Sequence, residues 1–193
     1  LLNESLDKID IIIHNAGIHS TKRIISQDGY ELSFQINHLA HYLLTLKCQP
    51  LLLKSTEARI LYINSEGHRF SSFYVDDYNF NHHHYSGLAL RKQADFQSIQ
   101  LVAMHPGDVK SHIGENNGWL YRLFSHLIIQ PLLRDTQLSA DAIHALVSDP
   151  LFKKSDHLFY HLTIAEKVAD HACDPLKAQR VLELSNTILK AYL

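Results

Sequence analysis

Histidine is the side chain with the most chemistry to offer in this sequence. Fifteen of the 193 residues are His, beside 18 Lys and Arg and 20 Asp and Glu. Imidazole changes charge near neutral pH, ligates metals and passes protons. Protonating all fifteen moves the formal charge from −2 to +13, so net charge is unusually sensitive between roughly pH 5 and 8. The tract His82-His83-His84, with His68, has the residue type for a zinc site. Zinc needs three or four convergent ligands held in place, and adjacent loop histidines do not arrange that unaided, so no metal site is assigned. Cys48 and Cys173 form no CxxC and define no disulfide framework. They suit a reduced, cytoplasmic setting. The glycines stand at positions 17, 29, 67, 87, 107, 114 and 118, with no G-x-G among them. A loop of that kind would let backbone amides cradle a phosphate.

These residues need elements to hold them. Apolar residues are 46% and charged residues 20% of the chain, ordinary for a globular protein, which excludes disorder and collagen-like structure. The near-balanced charge is no footprint for nucleic acid or an anionic membrane. No apolar run reaches about 18 residues, so no membrane span is expected. The start, Leu1 to Lys8, lacks the basic stretch of a signal peptide. Residue 1 is not Met, which suggests a reading frame that begins upstream. The run Ile9 to His14 reads as a buried parallel strand closed by Asn15-Ala16-Gly17. Leu32, Ile36, Leu39 and Leu43 recur at helical steps within a predicted helix from Glu31 to Leu53. Arg59 to Ile63 and Gln100 to Met104 read as further buried strands, the latter stopped by His105-Pro106-Gly107. A polar, His-rich loop is expected from Asn64 to about Gly87. Trp119 to Leu133, Ser139 to Val147 and Pro175 to Leu193 look helical, and Leu158 to Leu162 is a short strand candidate. Strands alternating with helices predict crossover connections and a mainly parallel sheet. Cys48, on the first helix, is expected in the core.

Four signatures then stand in order: Leu6 to Gly17, Asp28 to Thr45, Ala58 to Ser65, and His105-Pro106-Gly107-Asp108-Val109-Lys110-Ser111. Together they resemble the short-chain dehydrogenase/reductase family, in its retinol-dehydrogenase-like branch. The tail from Gly118 to Leu189 extends the resemblance over nearly the whole chain. It implies a doubly wound, Rossmann-like fold that binds NAD or NADP and moves a hydride between nicotinamide and an alcohol or carbonyl. In that family a Tyr acts as acid and base, and a Lys four residues later lowers its pKa. A free phenol near pKa 10 is a poor base at neutral pH, and an ammonium beside it favours the phenolate. The resemblance implies cofactor contacts at Asn15, Ala16, Gly17, Pro106, Gly107 and Ser111. It implies catalytic roles for Asn37, Ser65 and Tyr85. It also implies a small lipophilic alcohol or carbonyl substrate, with the apolar helix headed by Trp119 over the cleft.

The sequence departs from that family in two places. The glycine-rich phosphate loop TGxxxGxG is missing, and no Tyr has a Lys four residues later. Tyr85 stands near the expected position, but Lys92 is seven residues on and off its helical face. The stretch from Tyr85 to His105 is 20 residues, short for a helix of about 11 residues plus a loop and a strand. These departures predict a partial doubly wound sheet flanked by helices, without its first βα units. Roughly 60–90 residues would be missing there, at about 30 or more per unit, and an internal deletion would have shortened the active-site helix. Residues 1–193 then form one incomplete NAD(P)-binding domain, with weak cofactor binding and no hydride transfer by the isolated chain. The alternative is a non-catalytic pseudoenzyme or interaction module. An uncovered strand edge predicts aggregation or self-association.

Overall fold

The computed structural model describes residues 5–18, 20, 23–65, 99–107, 135–153, 155–168 and 170–193. Its centre is a five-stranded sheet in the order β1 (Ile11–His14), β2 (Arg59–Ile63), β3 (Gln100–His105), β4 (Phe159–His161) and β5 (Ile164–Ala165). The first three pairings are parallel and the last is antiparallel. The expected strands all form. The short β5 is an addition, made where the chain reverses at Leu162, a non-glycine residue at φ 55°.

A single helical run joins β1 to β2. It comprises α1 (Leu32–Phe34), a π-helical turn (Gln35–Ala40) and α2 (His41–Leu52). Glu31 caps its start by accepting a hydrogen bond from Phe34 N at 2.8 Å, which satisfies an otherwise orphaned amide. Between β3 and β4 lie α3 (Thr136–Ser148) and α4 (Pro150–Lys153). Asp135 caps α3 through Gln137 N at 2.9 Å. The last helix, α5 (Pro175–Leu189), has Asp174 as its cap and Pro175 in its first turn, where a missing N–H costs nothing.

Strand alternation divides the core in two. Ile60, Tyr62, Leu101, Ala103 and Phe159 face α1, α2 and α5 in one cluster, which also buries Cys48. Leu61, Val102, Met104 and Tyr160 face α3 through Ala142, Leu146 and Val147. Helices therefore cover both faces of β2 and β3, which is why those strands read as unbroken apolar runs. Buried Arg59 donates to the Leu146 carbonyl, placing a cation at the last turn of α3, where the helix dipole favours one.

One expectation is corrected. The Ile9–His14 run does form a parallel strand, but it is not buried on both faces. Ile12 packs against the first cluster and His14 is buried, while Ile11 and Ile13 are 41% and 42% exposed. Among the described residues β1 pairs only with β2. Among the described residues, α3 packs on β2, β3 and β4.

Candidate functional site

The carboxyl ends of β1, β2 and β3 lie side by side, the edge at which open parallel sheets bind ligands. Asn15, Ala16 and Gly17 follow β1 and are exposed, Ser65 follows β2 and is exposed, and Pro106 and Gly107 follow β3 half-buried. Asn64 N donates to Met104 O at 2.6 Å, which keeps the chain beyond β2 level with the end of β3.

Asn37 lies in the π-helical turn, a distortion frequent at functional sites. Its side chain is committed to the loop beyond β1. Asn37 Oδ1 accepts from Ile18 N at 2.9 Å and Asn37 Nδ2 donates to Ile18 O at 2.9 Å. A Cβ on Gly17 would stand 3.5 Å from Asn37 Oδ1. Asn37 thus clamps the Asn15-Ala16-Gly17 segment to the helix, as a positioning residue. Tyr85 and Ser111 lie outside the described residues, as do the His82-His83-His84 tract and the Trp119 helix.

Behind this edge is a group that the sequence reading did not single out. His14 Nε2 lies 2.7 Å from Thr45 Oγ1, and Thr45 Oγ1 donates to His41 O at 2.9 Å. The one hydroxyl proton of Thr45 is therefore used, so His14 is the donor and carries its hydrogen on Nε2. Tyr62 OH completes the group, 3.3 Å from Thr45 Oγ1. The His14 ring stacks on Tyr62 and tilts against His41, with centroids 4.6 and 4.7 Å away. Burial, then the neighbouring His41, lowers the His14 pKa to about 4. Burial also lowers that of His41, opposed by hydrogen bonding to the backbone of Ala16 and Asn37. The Tyr62 phenol is pushed up, chiefly by burial. At neutral pH this is an uncharged, ordered set that fixes the end of β1 to α2. Residues 37, 41 and 45 stand at four-residue steps, the signal that would have placed them on one helix face.

A second buried histidine anchors the other side of the same helix. His38 Nε2 is 2.7 Å from Ser185 Oγ, which itself donates to Val181 O at 2.7 Å. By the same count of protons, His38 donates to Ser185. Its pKa falls to about 3, through burial first and His41 second. Tyr42 OH donates to Asn186 Oδ1 at 2.8 Å.

The sequence profile of the short chain dehydrogenase family matches residues 2–118. This chain belongs to the short-chain dehydrogenase/reductase family. It is 26% identical to a WW domain-containing oxidoreductase of Drosophila melanogaster, over 98% of this chain and 49% of that protein. It is 26% identical to human retinol dehydrogenase 13, over 86% of this chain and 51% of the relative. The chain spans about half the length of these curated relatives. Its fold is similar to a short chain dehydrogenase from Salmonella enterica serovar Typhi, with TM-score 0.58 and 17% identity, covering 83% of this chain and 65% of that one. The family and its retinol-dehydrogenase-like branch agree with the resemblance drawn from the four signatures.

The family uses NAD(P), and the residues of this chain fit that group unequally. Asn15 to Gly17, Ser65 and Pro106-Gly107 gather at the strand ends, and Gly107 adopts φ 75°, a backbone region open to glycine. That arrangement suits a flat ring approaching the sheet edge. The sequence has no glycine-rich turn, so the residues present offer no backbone cradle of that kind to a pyrophosphate.

Proposed function

We propose that this chain supplies the ring-facing side of an NAD(P)-dependent alcohol or carbonyl oxidoreductase site, and that these 193 residues alone do not transfer hydride. The observation behind this reading is the contrast between the site's two halves. The clamp of Asn37 on the loop after β1 is intact, whereas neither a G-x-G turn nor a Tyr with Lys four residues on occurs in the sequence. Without a cradle for the pyrophosphate, the dinucleotide loses the backbone-amide and helix N-terminus contacts that such a turn supplies. Without an ammonium beside it, a phenol near pKa 10 stays protonated at neutral pH. The substrate class is a lipophilic alcohol or carbonyl, in keeping with relatives named retinol dehydrogenases. The compartment is the cytoplasm, in keeping with two free cysteines. Among the described residues no helix is long and apolar enough to cross a membrane.

Fluorescence titration with NADH and with NADPH tests the reading. No saturation is expected below about 1 mM, a binding free energy weaker than about −4 kcal/mol. Saturable binding in the micromolar range overturns it.

The uncovered face of β1 favours a second, non-catalytic role. Among the described residues β1 has one strand neighbour; such an edge offers unpaired amides and carbonyls to another chain, and Ile11 and Ile13 add exposed apolar surface beside it. Self-association through β1 would place a second copy there. Size-exclusion chromatography of wild type against Ile13→Lys is the test. A shift of the variant toward the monomer is expected, and a wild-type chain that already elutes as a monomer refutes it.

A further inference from the structure

Away from the loop after β1, the end of β3 meets the β4–β5 hairpin in a cluster that the proposed reaction does not use. His105 is the last residue of β3 and is buried, at 2% exposure. His161 is the last residue of β4 and stands opposite it in the parallel register. Leu162 N donates to His105 O at 3.1 Å, and Glu166 N donates to Phe159 O at 3.0 Å. These two bonds lock the hairpin against β3 and bring Glu166 back over the two rings. The reversal passes through Leu162 at φ 55°, a conformation unusual for a branched apolar residue and worth a functional explanation.

The carboxylate of Glu166 reaches both imidazoles, with one oxygen toward each. Its Oε2 is 3.5 Å from His105 Nε2, and its Oε1 is 3.5 Å from His161 Nδ1. The three potential ligand atoms lie within 4.8 Å of one another. A charge-assisted N–H···O pair closes to about 2.7–2.9 Å, so these contacts are long for hydrogen bonds. Ligands of a tetrahedral ion held at about 2.0–2.2 Å stand about 3.3–3.6 Å apart, close to the separation of each imidazole nitrogen from one Glu166 oxygen. We infer that His105, His161 and Glu166 bind a divalent transition-metal ion of the zinc type. Two imidazoles and one carboxylate suit zinc and its first-row neighbours, and do not suit calcium or magnesium, which take oxygen ligands. Three protein ligands leave a fourth position open. The two rings stack 13° from parallel with centroids 4.3 Å apart, so their lone pairs lie in adjacent planes. Binding therefore requires one ring to turn. His105 is fixed by burial, while the side chain of His161 is 34% exposed and that of Glu166 27%. Gly107 leaves room beside His161, since a Cβ there would stand 3.2 Å from His161 Nε2.

The test is zinc affinity by competition with a chromophoric chelator, together with zinc retained after dialysis, on the full chain. One equivalent is expected for wild type. His161→Ala and Glu166→Gln should each weaken binding by about 100-fold or more. The triple variant His82→Ala, His83→Ala, His84→Ala should bind as wild type. Cobalt in place of zinc should give the visible bands of a low-coordinate site in wild type and lose them in Glu166→Gln. Glu166→Gln keeps the size of the side chain, so it decides the question even if His161→Ala fails to fold. Wild type that retains no zinc overturns the inference. So does wild-type affinity in Glu166→Gln, or binding lost only in the triple variant.

Discussion

Acidification from pH 7 to pH 5 should cost this protein about 4 kcal/mol of folding stability, and two histidines account for most of it. His14 and His38 are buried and uncharged, with pKa values of about 4 and about 3 in the folded chain. In an unfolded chain both return to about 6.5. A lowered folded pKa means that the unfolded state takes up protons first, so stability is full above pH 6.5 and is lost as the pH falls toward the folded values. At pH 5 each imidazole is largely protonated in the unfolded chain and neutral in the folded one. Integrating the linkage from pH 7 to pH 5 gives about 2 kcal/mol for each of His14 and His38. Native domains hold only about 5–15 kcal/mol, so the effect is large. With a urea slope of about 1–3 kcal/mol per molar, the midpoint should fall by more than about 1 M. Urea titrations followed by far-UV circular dichroism at both pH values measure it. The variants His14→Asn and His38→Asn should each remove about 2 kcal/mol of the pH dependence, whatever they do to stability at pH 7. A loss below about 1 kcal/mol in wild type, or an unchanged pH dependence in both variants, refutes the claim that these rings are held neutral by burial.

Three further outcomes follow from the same packing. Ser185→Ala removes the acceptor of His38 and leaves a buried ring N–H without it, so it should cost about 1–3 kcal/mol in a urea titration at pH 7. Leu61→Ala, at a fully buried position of β2, should cost about 2–5 kcal/mol. Asn37→Ala loses both bonds to Ile18, about 1–3 kcal/mol. It should also speed proteolytic cleavage around Asn15 to Ile18, read by limited proteolysis and mass spectrometry.

The strands at Arg59 and Gln100 were legible because both of their faces are buried, and burial on both faces writes itself as consecutive apolar residues. The same kind of run at Ile9 misled, since which faces of a strand are covered is settled by tertiary packing, which no local pattern records. The helix from Leu32 was legible from its spacing. Its π turn was not, because no spacing of residue types marks one. Two-residue β5 has no room for a periodic signal. At the candidate site, Asn15 to Gly17 and Asn37 were named through the family resemblance, while His14, His41 and Thr45 were passed over although the latter two lie at helical steps from Asn37. His105, His161 and Glu166 come from separate strands, and only the closing of the β4–β5 hairpin brings them together. Fifteen histidines made composition informative about titration and uninformative about which rings matter.

The sheet's uneven covering has a consequence for the order in which the molecule comes apart. Opening free energy follows buried apolar contact, so the amides of Ile60 to Tyr62 and of Leu101 to Met104 should be the last to exchange with heavy water. Those of β1 should exchange sooner, because among the described residues it pairs with one strand and Ile11 and Ile13 are exposed. The loop of Asn15 to Gly17 hangs from this strand, more labile than β2 or β3. Transient release of β1 would therefore dismantle one wall of the ligand edge while β2 and β3 stay intact, making the preparedness of the site a property of its weakest strand.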